Sequence, residues 1–118
     1  RKIKLLLIGA GNTGEKIARE VLQENRAEYQ IVGFLDDNPQ KQEVNIHGIP
    51  VLGRINDLQS IDIDFDEIII TAPSATGEQM RVIVEQCEQT GKRFKTVPGF
   101  HELMNKDDHD KFAKENPN

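Results

Sequence analysis

Six residues near the start of the chain, Gly9-Ala10-Gly11-Asn12-Thr13-Gly14, have the types and spacing to bind an anion. The glycines fall as GxGxxG, directly after the apolar run Leu5 to Ile8 and directly before a segment with helical periodicity. In a strand–turn–helix unit the first glycine allows the tight turn and the second lets a pyrophosphate approach the backbone. The third lets helix and strand pack closely. The N–H groups that open the helix, those of Asn12 and Thr13 among them, then offer partial positive charge to a phosphate. A turn that merely packs would use the same glycines, so the weight of the motif lies in its placement.

Two further groups of residues could complete such a site. Asp36 ends the apolar stretch Ile31 to Leu35, somewhat further from Gly9 than the roughly 20 residues usual for a ribose-binding carboxylate. A carboxylate there accepts hydrogen bonds from ribose hydroxyls and repels a 2′-phosphate, and Asp37 follows it where an Arg would suit NADP. On this argument NAD is favoured over NADP. Asp36, Asp37 and Asn38 before Pro39 also have the composition of a plain turn, and the pattern alone does not choose. The third group, Ala72-Pro73-Ser74, follows the isoleucine run Ile68 to Ile70. Its small residues leave space for a ligand and Ser74 could donate a hydrogen bond, although Ser74 and Thr76 could equally serve as helix caps.

Groups for bond-making chemistry are missing from the pattern. Hydride transfer needs an acid or base beside the substrate carbon, yet the sole tyrosine, Tyr29, has Gly33 four residues on where a catalytic pair would have Lys. His47, His101 and His109 are scattered, and with one cysteine they form no metal-ligand pattern. His101 alone is expected near the ligand edge. Cys87 falls on an apolar helix face and reads as core. The expectation is a binding site with no catalytic residue and no metal.

These residues need a scaffold, and the apolar period supplies it. Nearly continuous apolar runs at Ile3 to Ile8, Ile31 to Leu35, Ile49 to Leu52, Ile68 to Ile70 and Phe94 to Val97 read as buried strands. Between them, Ile17, Ala18, Val21 and Leu22 recur at helical spacing, as do Met80, Ile83, Val84 and Cys87. Ile55 and Leu58 suggest a short helix. Thr76 with Gln79 has capping-box spacing, and Gly91 suits a helix end. Alternating strands and helices imply parallel pairing with right-handed crossovers. The expected fold is α/β, a doubly wound parallel sheet of about five strands in the order 3-2-1-4-5, with helices on both faces. Its C-terminal edge would bring the glycine loop, Asp36 and Ala72-Pro73-Ser74 together at the point where strand order reverses. The globular part is expected to span 1–104, closing with a short helix from Phe100, and 105–118 to form a polar tail.

Composition narrows the partners. The 118 residues suit one domain. A net charge of −5, from 15 basic and 20 acidic residues with no basic run, argues against a nucleic-acid platform. Five Phe, one Tyr and no Trp leave little for base stacking. No apolar run approaches the roughly 20 residues of a membrane span, so no membrane contact by this segment is expected. The lone cysteine excludes an internal disulfide and fits a cytoplasmic setting. The chain opens on Arg1 in place of Met, giving the expectation of a piece of something longer.

Taken in order, the motifs form a known pattern. Leu7-Ile8-Gly9-Ala10-Gly11 with Gly14, Val32-Gly33-Phe34-Leu35-Asp36-Asp37, His47-Gly48-Ile49-Pro50-Val51-Leu52-Gly53, Ile69-Ile70 with Pro73-Ser74-Ala75, and Thr96-Val97-Pro98-Gly99 succeed one another across roughly residues 2–104. The sequence resembles the N-terminal Rossmann-like, CoA-binding-like domain of CapD-like, membrane-anchored nucleotide-diphosphate-sugar dehydratases and epimerases of polysaccharide biosynthesis. The resemblance implies an accessory nucleotide-binding domain, itself not catalytic, preceding a catalytic NAD-dependent domain of the same parent chain. That parent would be a 4,6-dehydratase or epimerase held in the bacterial inner membrane, with this domain on the cytoplasmic side. Gly9, Gly11, Asn12, Thr13, Gly14, Asp36, Asp37, Ala72, Pro73 and Ser74 carry over as candidate ligand residues. The ligand would be NAD first, with CoA or a UDP-sugar as alternatives, and self-association is left open. Part of the pattern is similar to the nucleotide-sugar-binding domain of bacterial sugar acyltransferases. A free-standing NAD or CoA sensor is the third reading.

Overall fold

In the computed structural model, residues 1–97 are described. Three strands at the centre of the sheet, β1 (Ile3–Ile8), β2 (Tyr29–Leu35) and β5 (Glu67–Ile70), hold the apolar runs. β1 pairs in parallel with both of the others. Alternate side chains go to opposite faces. Leu5 and Leu7 pack under helix α1 (Asn12–Glu24) with Ala18, Val21, Phe34 and Ile69. Leu6 and Ile8 pack under helix α2 (Gly77–Thr90) with Ile68, Ile70, Ile83 and Cys87. The continuous run Leu5 to Ile8 is thus buried on both faces, as its composition requires.

The full order is β3-β4-β2-β1-β5-β6, where β3 is Asn45–Ile46, β4 is Ile49–Gly53 and β6 is Arg93–Thr96. Leaving out β3 gives the expected order 3-2-1-4-5. The expected strand count needs correcting to six, because a two-residue strand adds at the edge. β3 runs antiparallel to β4, and a two-residue turn joins them, with φ of 54° at His47 and 81° at Gly48. Positive φ at both turn residues is the geometry whose twist matches a hairpin. The expected short helix at Ile55 is a single 3-10 turn, Ile55–Asp57.

The helix ends follow the sequence. α2 has a reciprocal capping box, in which Thr76 Oγ1 accepts from Gln79 N and Gln79 Oε1 accepts from Thr76 N. It stops at Gly91 in the left-handed conformation, φ 72°. Cys87, on its inner face, is fully buried, and burial pushes its thiol pKa up to about 11. No helix among the described residues is long and apolar enough to cross a membrane. The expected boundary at 104, the helix from Phe100, the tail 105–118, and His101 and His109 lie outside the described residues.

Candidate functional site

All the candidate ligand residues stand at one edge of the sheet, past the C-terminal ends of β1, β2 and β5. The glycine turn at its centre is clasped from both sides. Gly9 N donates to Leu35 O at the end of β2 (2.8 Å). On the other side Thr71 is buried, 2% exposed. Its backbone N–H donates to Ile8 O (2.7 Å). Its hydroxyl lies 2.9 Å from both Ile8 O and Gly9 O, and its single proton serves these two acceptors. Gly9 has φ +105°, and a Cβ there would lie 2.4 Å from Thr71 O. Only glycine meets both conditions. A Cβ on Gly14 would lie 2.1 Å from Gly9 O, so the third glycine serves the close helix packing that its position implies.

Gly11 differs from its neighbours. A Cβ there would meet nothing within 4 Å, so the backbone faces open space that a side chain would fill. Gly11 is the N-cap of α1, and no side chain caps that helix among the described residues. Asn12 and Thr13 form its first turn, exposed and half-buried respectively. Unlike α2, which satisfies its own first N–H groups through Thr76, α1 leaves its first turn for an outside acceptor. A phosphate group fits these residues.

Asp36 lies beside this turn, in a role the sequence did not disclose. Its Oδ2 accepts from Ala10 N within the glycine loop (2.7 Å) and its Oδ1 from Asn38 N (2.9 Å). The second of these bonds is the local turn, and the first joins β2 to the loop. Asp37 is exposed. Its Oδ1 accepts from Ile55 N (2.9 Å), and its carbonyl oxygen accepts from the Arg54 guanidinium (2.7 Å). Arg54 gave no signal in the sequence, since its partner is 17 residues away.

A cleft of about 330 Å³ opens next to Asp37, lined by Ile55, Ala72, Ala75, Gln79 and Val82 among others. Its walls come from the 3-10 turn, the segment after β5 and the first turns of α2. Apolar side chains with a few polar groups suit a planar base. Ala72 also borders a smaller cavity of about 180 Å³ with Pro73, Met80 and Val97. Ser74 lines neither. It occupies a turn closed by Ala75 N donating to Ala72 O (3.1 Å) and points to no role in these cavities.

His47, in the turn between β3 and β4, reaches the first turn of α1. Its Nε2 lies 2.6 Å from Glu15 Oε2, and Arg19 adds a longer contact at 3.6 Å. The His47 hydrogen bond holds the Glu15 carboxyl below its ordinary range. Among the described residues no cluster of His, Cys, Asp or Glu could hold a metal ion.

The sequence profile of the CoA-binding domain family matches residues 1–98. The chain belongs to that family. Among curated relatives, the "Probable polysaccharide biosynthesis protein EpsC" of Bacillus subtilis (strain 168) is 31% identical over 105 residues. The match covers 86% of this chain and 17% of that protein. The "Capsular polysaccharide biosynthesis protein CapD" of Staphylococcus aureus is 26% identical over 102 residues, with 84% and 17% covered. This chain therefore spans about one sixth of the length of the curated relatives it matches. A solved structure of UDP-D-quinovosamine 4-dehydrogenase from Vibrio fischeri superposes with a TM-score of 0.79 at 27% identity, covering 91% of this chain and 87% of that one. RSP, a Rex-family repressor, superposes with a TM-score of 0.65 at 14% identity, covering 100% and 65%. At that identity it shows the fold alone. The fold is Rossmann-like, and the resemblance to CapD-like polysaccharide-biosynthesis proteins holds.

Proposed function

We propose that this domain binds a nucleotide diphosphate, with the pyrophosphate at the open N-terminus of α1 and the base in the cleft beside Asp37 and Ala72. The observation that carries this reading is the open space at Gly11, next to an uncapped helix N-terminus and within one sheet edge of the cleft. Gly9, Gly11, Asn12, Thr13 and Gly14 form the phosphate cradle, while Asp37, Ala72 and Pro73 border the cavities along that edge. Ser74 retains only its exposed hydroxyl as a donor. NAD and CoA share the adenosine diphosphate that such a site would take, and a UDP-sugar shares its diphosphate.

The domain is an accessory module and carries no catalysis of its own. Its parent is a nucleotide-diphosphate-sugar dehydratase or epimerase of bacterial polysaccharide biosynthesis, anchored in the inner membrane with this domain in the cytoplasm. The names of the curated relatives support the place in polysaccharide biosynthesis, and their greater length supports a longer parent; the sequence resemblance supplies the dehydratase or epimerase activity and the membrane anchor. A downstream catalytic domain is its partner in the chain.

Thermal shift with NAD, NADP, CoA and UDP-N-acetylglucosamine tests the binding reading. A ligand at 100 times its dissociation constant adds about 2.7 kcal/mol to stability, a rise of several degrees for a domain of this size. No rise with any of the four overturns it. Dehydration of UDP-N-acetylglucosamine by the isolated domain would overturn the accessory role.

A further inference from the structure

We propose that Arg54 makes the site selective for nucleotides whose adenosine ribose carries a phosphate, the chemistry shared by coenzyme A and NADP. The inference rests on the nucleotide-binding reading above and adds the ligand class. A bare ribose is usually held by a carboxylate at the end of the second strand, which accepts from its hydroxyls. Here both oxygens of Asp36 already accept backbone N–H groups, from Ala10 and Asn38. One oxygen of Asp37 accepts from Ile55 N. The two acidic residues are engaged in bracing the glycine loop and the 3-10 turn.

Arg54 is the opposite case. A guanidinium has five N–H donors, and one donates to the Asp37 carbonyl oxygen. Asp57 accepts from the Arg54 backbone N–H, leaving the guanidinium aside. Among the described residues no carboxylate lies within ion-pair distance of the Arg54 side chain. The residue is exposed, adjoins Ile55 in the chain and is bonded to Asp37, and both of these line the cleft. An unneutralised, planar cation therefore stands beside the cleft, next to two residues of its wall, Asp37 and Ile55. The charges of Asp36 and Asp37 oppose a phosphate there, and Arg54 is the group that offsets them. An Arg–phosphate contact can be bidentate and charge-assisted.

Calorimetric titration of the wild-type domain and R54Q with two ligand pairs tests this. CoA against dephospho-CoA isolates a 3′-phosphate, and NADP against NAD isolates a 2′-phosphate. We expect the phosphorylated member of one pair to bind wild type about tenfold or more tightly, the worth of one charge-assisted hydrogen bond. R54Q should bring that pair within about twofold, and R54K should keep most of the preference. Equal affinity within both pairs for wild type overturns the selectivity while leaving the nucleotide site standing. So does R54Q weakening both members of a pair by the same factor. Failure of all four to bind also overturns the selectivity, and failure of UDP-N-acetylglucosamine as well overturns the underlying site. A thermal melt of R54Q matching wild type separates lost recognition from lost fold.

Discussion

The carboxylate of Asp36, at the end of β2, accepts a hydrogen bond from the backbone N–H of Ala10 in the glycine loop at 2.7 Å. These residues are 26 apart in sequence, and the bond ties the conformation of the phosphate cradle to the neighbouring strand. With Thr71 clasping Gly9 from the other side, the loop is shaped before any ligand arrives. Such preorganisation lowers the ordering cost of binding.

Removing that tie should act on the protein before it acts on any ligand. Asp36→Ala leaves Ala10 N without its acceptor, a loss of about 1–3 kcal/mol for a part-buried group. The expected result is a lower urea midpoint without ligand, and similar losses of affinity for NAD and CoA. Calorimetry on both ligands checks this. A loss confined to NAD, at unchanged stability, would return Asp36 to direct ribose recognition.

Gly11 and Gly14 should differ in what their substitution costs. Gly11→Val puts a branched side chain into open space, so folding should survive, less about 1 kcal/mol for the poorer N-cap. Nucleotide binding should be abolished. Gly14→Ala drives a Cβ against Gly9 O, and overpacking of this kind costs about 1–3 kcal/mol. Melting curves of the two variants, with and without nucleotide, distinguish the roles. A Gly11→Val domain that still binds would move the phosphate elsewhere.

Acid should weaken the fold through Asp66, at the foot of β5. Its carboxylate accepts from Lys4 N at 2.8 Å and from the Arg1 guanidinium at 2.7 Å, and these bonds hold its pKa below the usual value. A depressed carboxylate pKa adds stability that is present above the unfolded value, about 3.9, and is lost as pH falls through the folded value. The urea midpoint of wild type should therefore drop below about pH 4. Asp66→Asn, which cannot ionise, should show a shallower drop. Parallel acid limbs for the two proteins would remove Asp66 from this role.

Cys87 should report global unfolding. It is fully buried on the inner face of α2, and its thiol pKa is pushed up to about 11. Since the thiolate is the reactive form, a thiol reagent at neutral pH should react only as fast as the chain opens. The rate should rise with urea in step with the unfolding equilibrium. A fast, urea-independent reaction would show that α2 lifts from the sheet by itself.

The parts that could be read along the chain depend on short separations. The continuous apolar run of β1, the apolar face of α2, the Thr76–Gln79 box and the stop at Gly91 are each legible within a few residues of chain. Strand order followed because right-handed crossovers leave few ways to stack such elements. The His47-Gly48 turn was also readable in principle, but its β3 strand of two residues is too short for a period to register.

The sequence by itself determined that a glycine turn would sit between a buried strand and a helix, beside an acidic strand end. Which group holds that turn was decided only by the tertiary structure. Leu35, Asp36 and Thr71 reach it from strands brought alongside β1 by two crossovers. Arg54 meets Asp37 because β4 lies next to β2. A side chain's hydrogen-bonding capacity is written in its type, but whether a ligand or the protein satisfies it depends on which strand ends the sheet brings within about 3 Å of it.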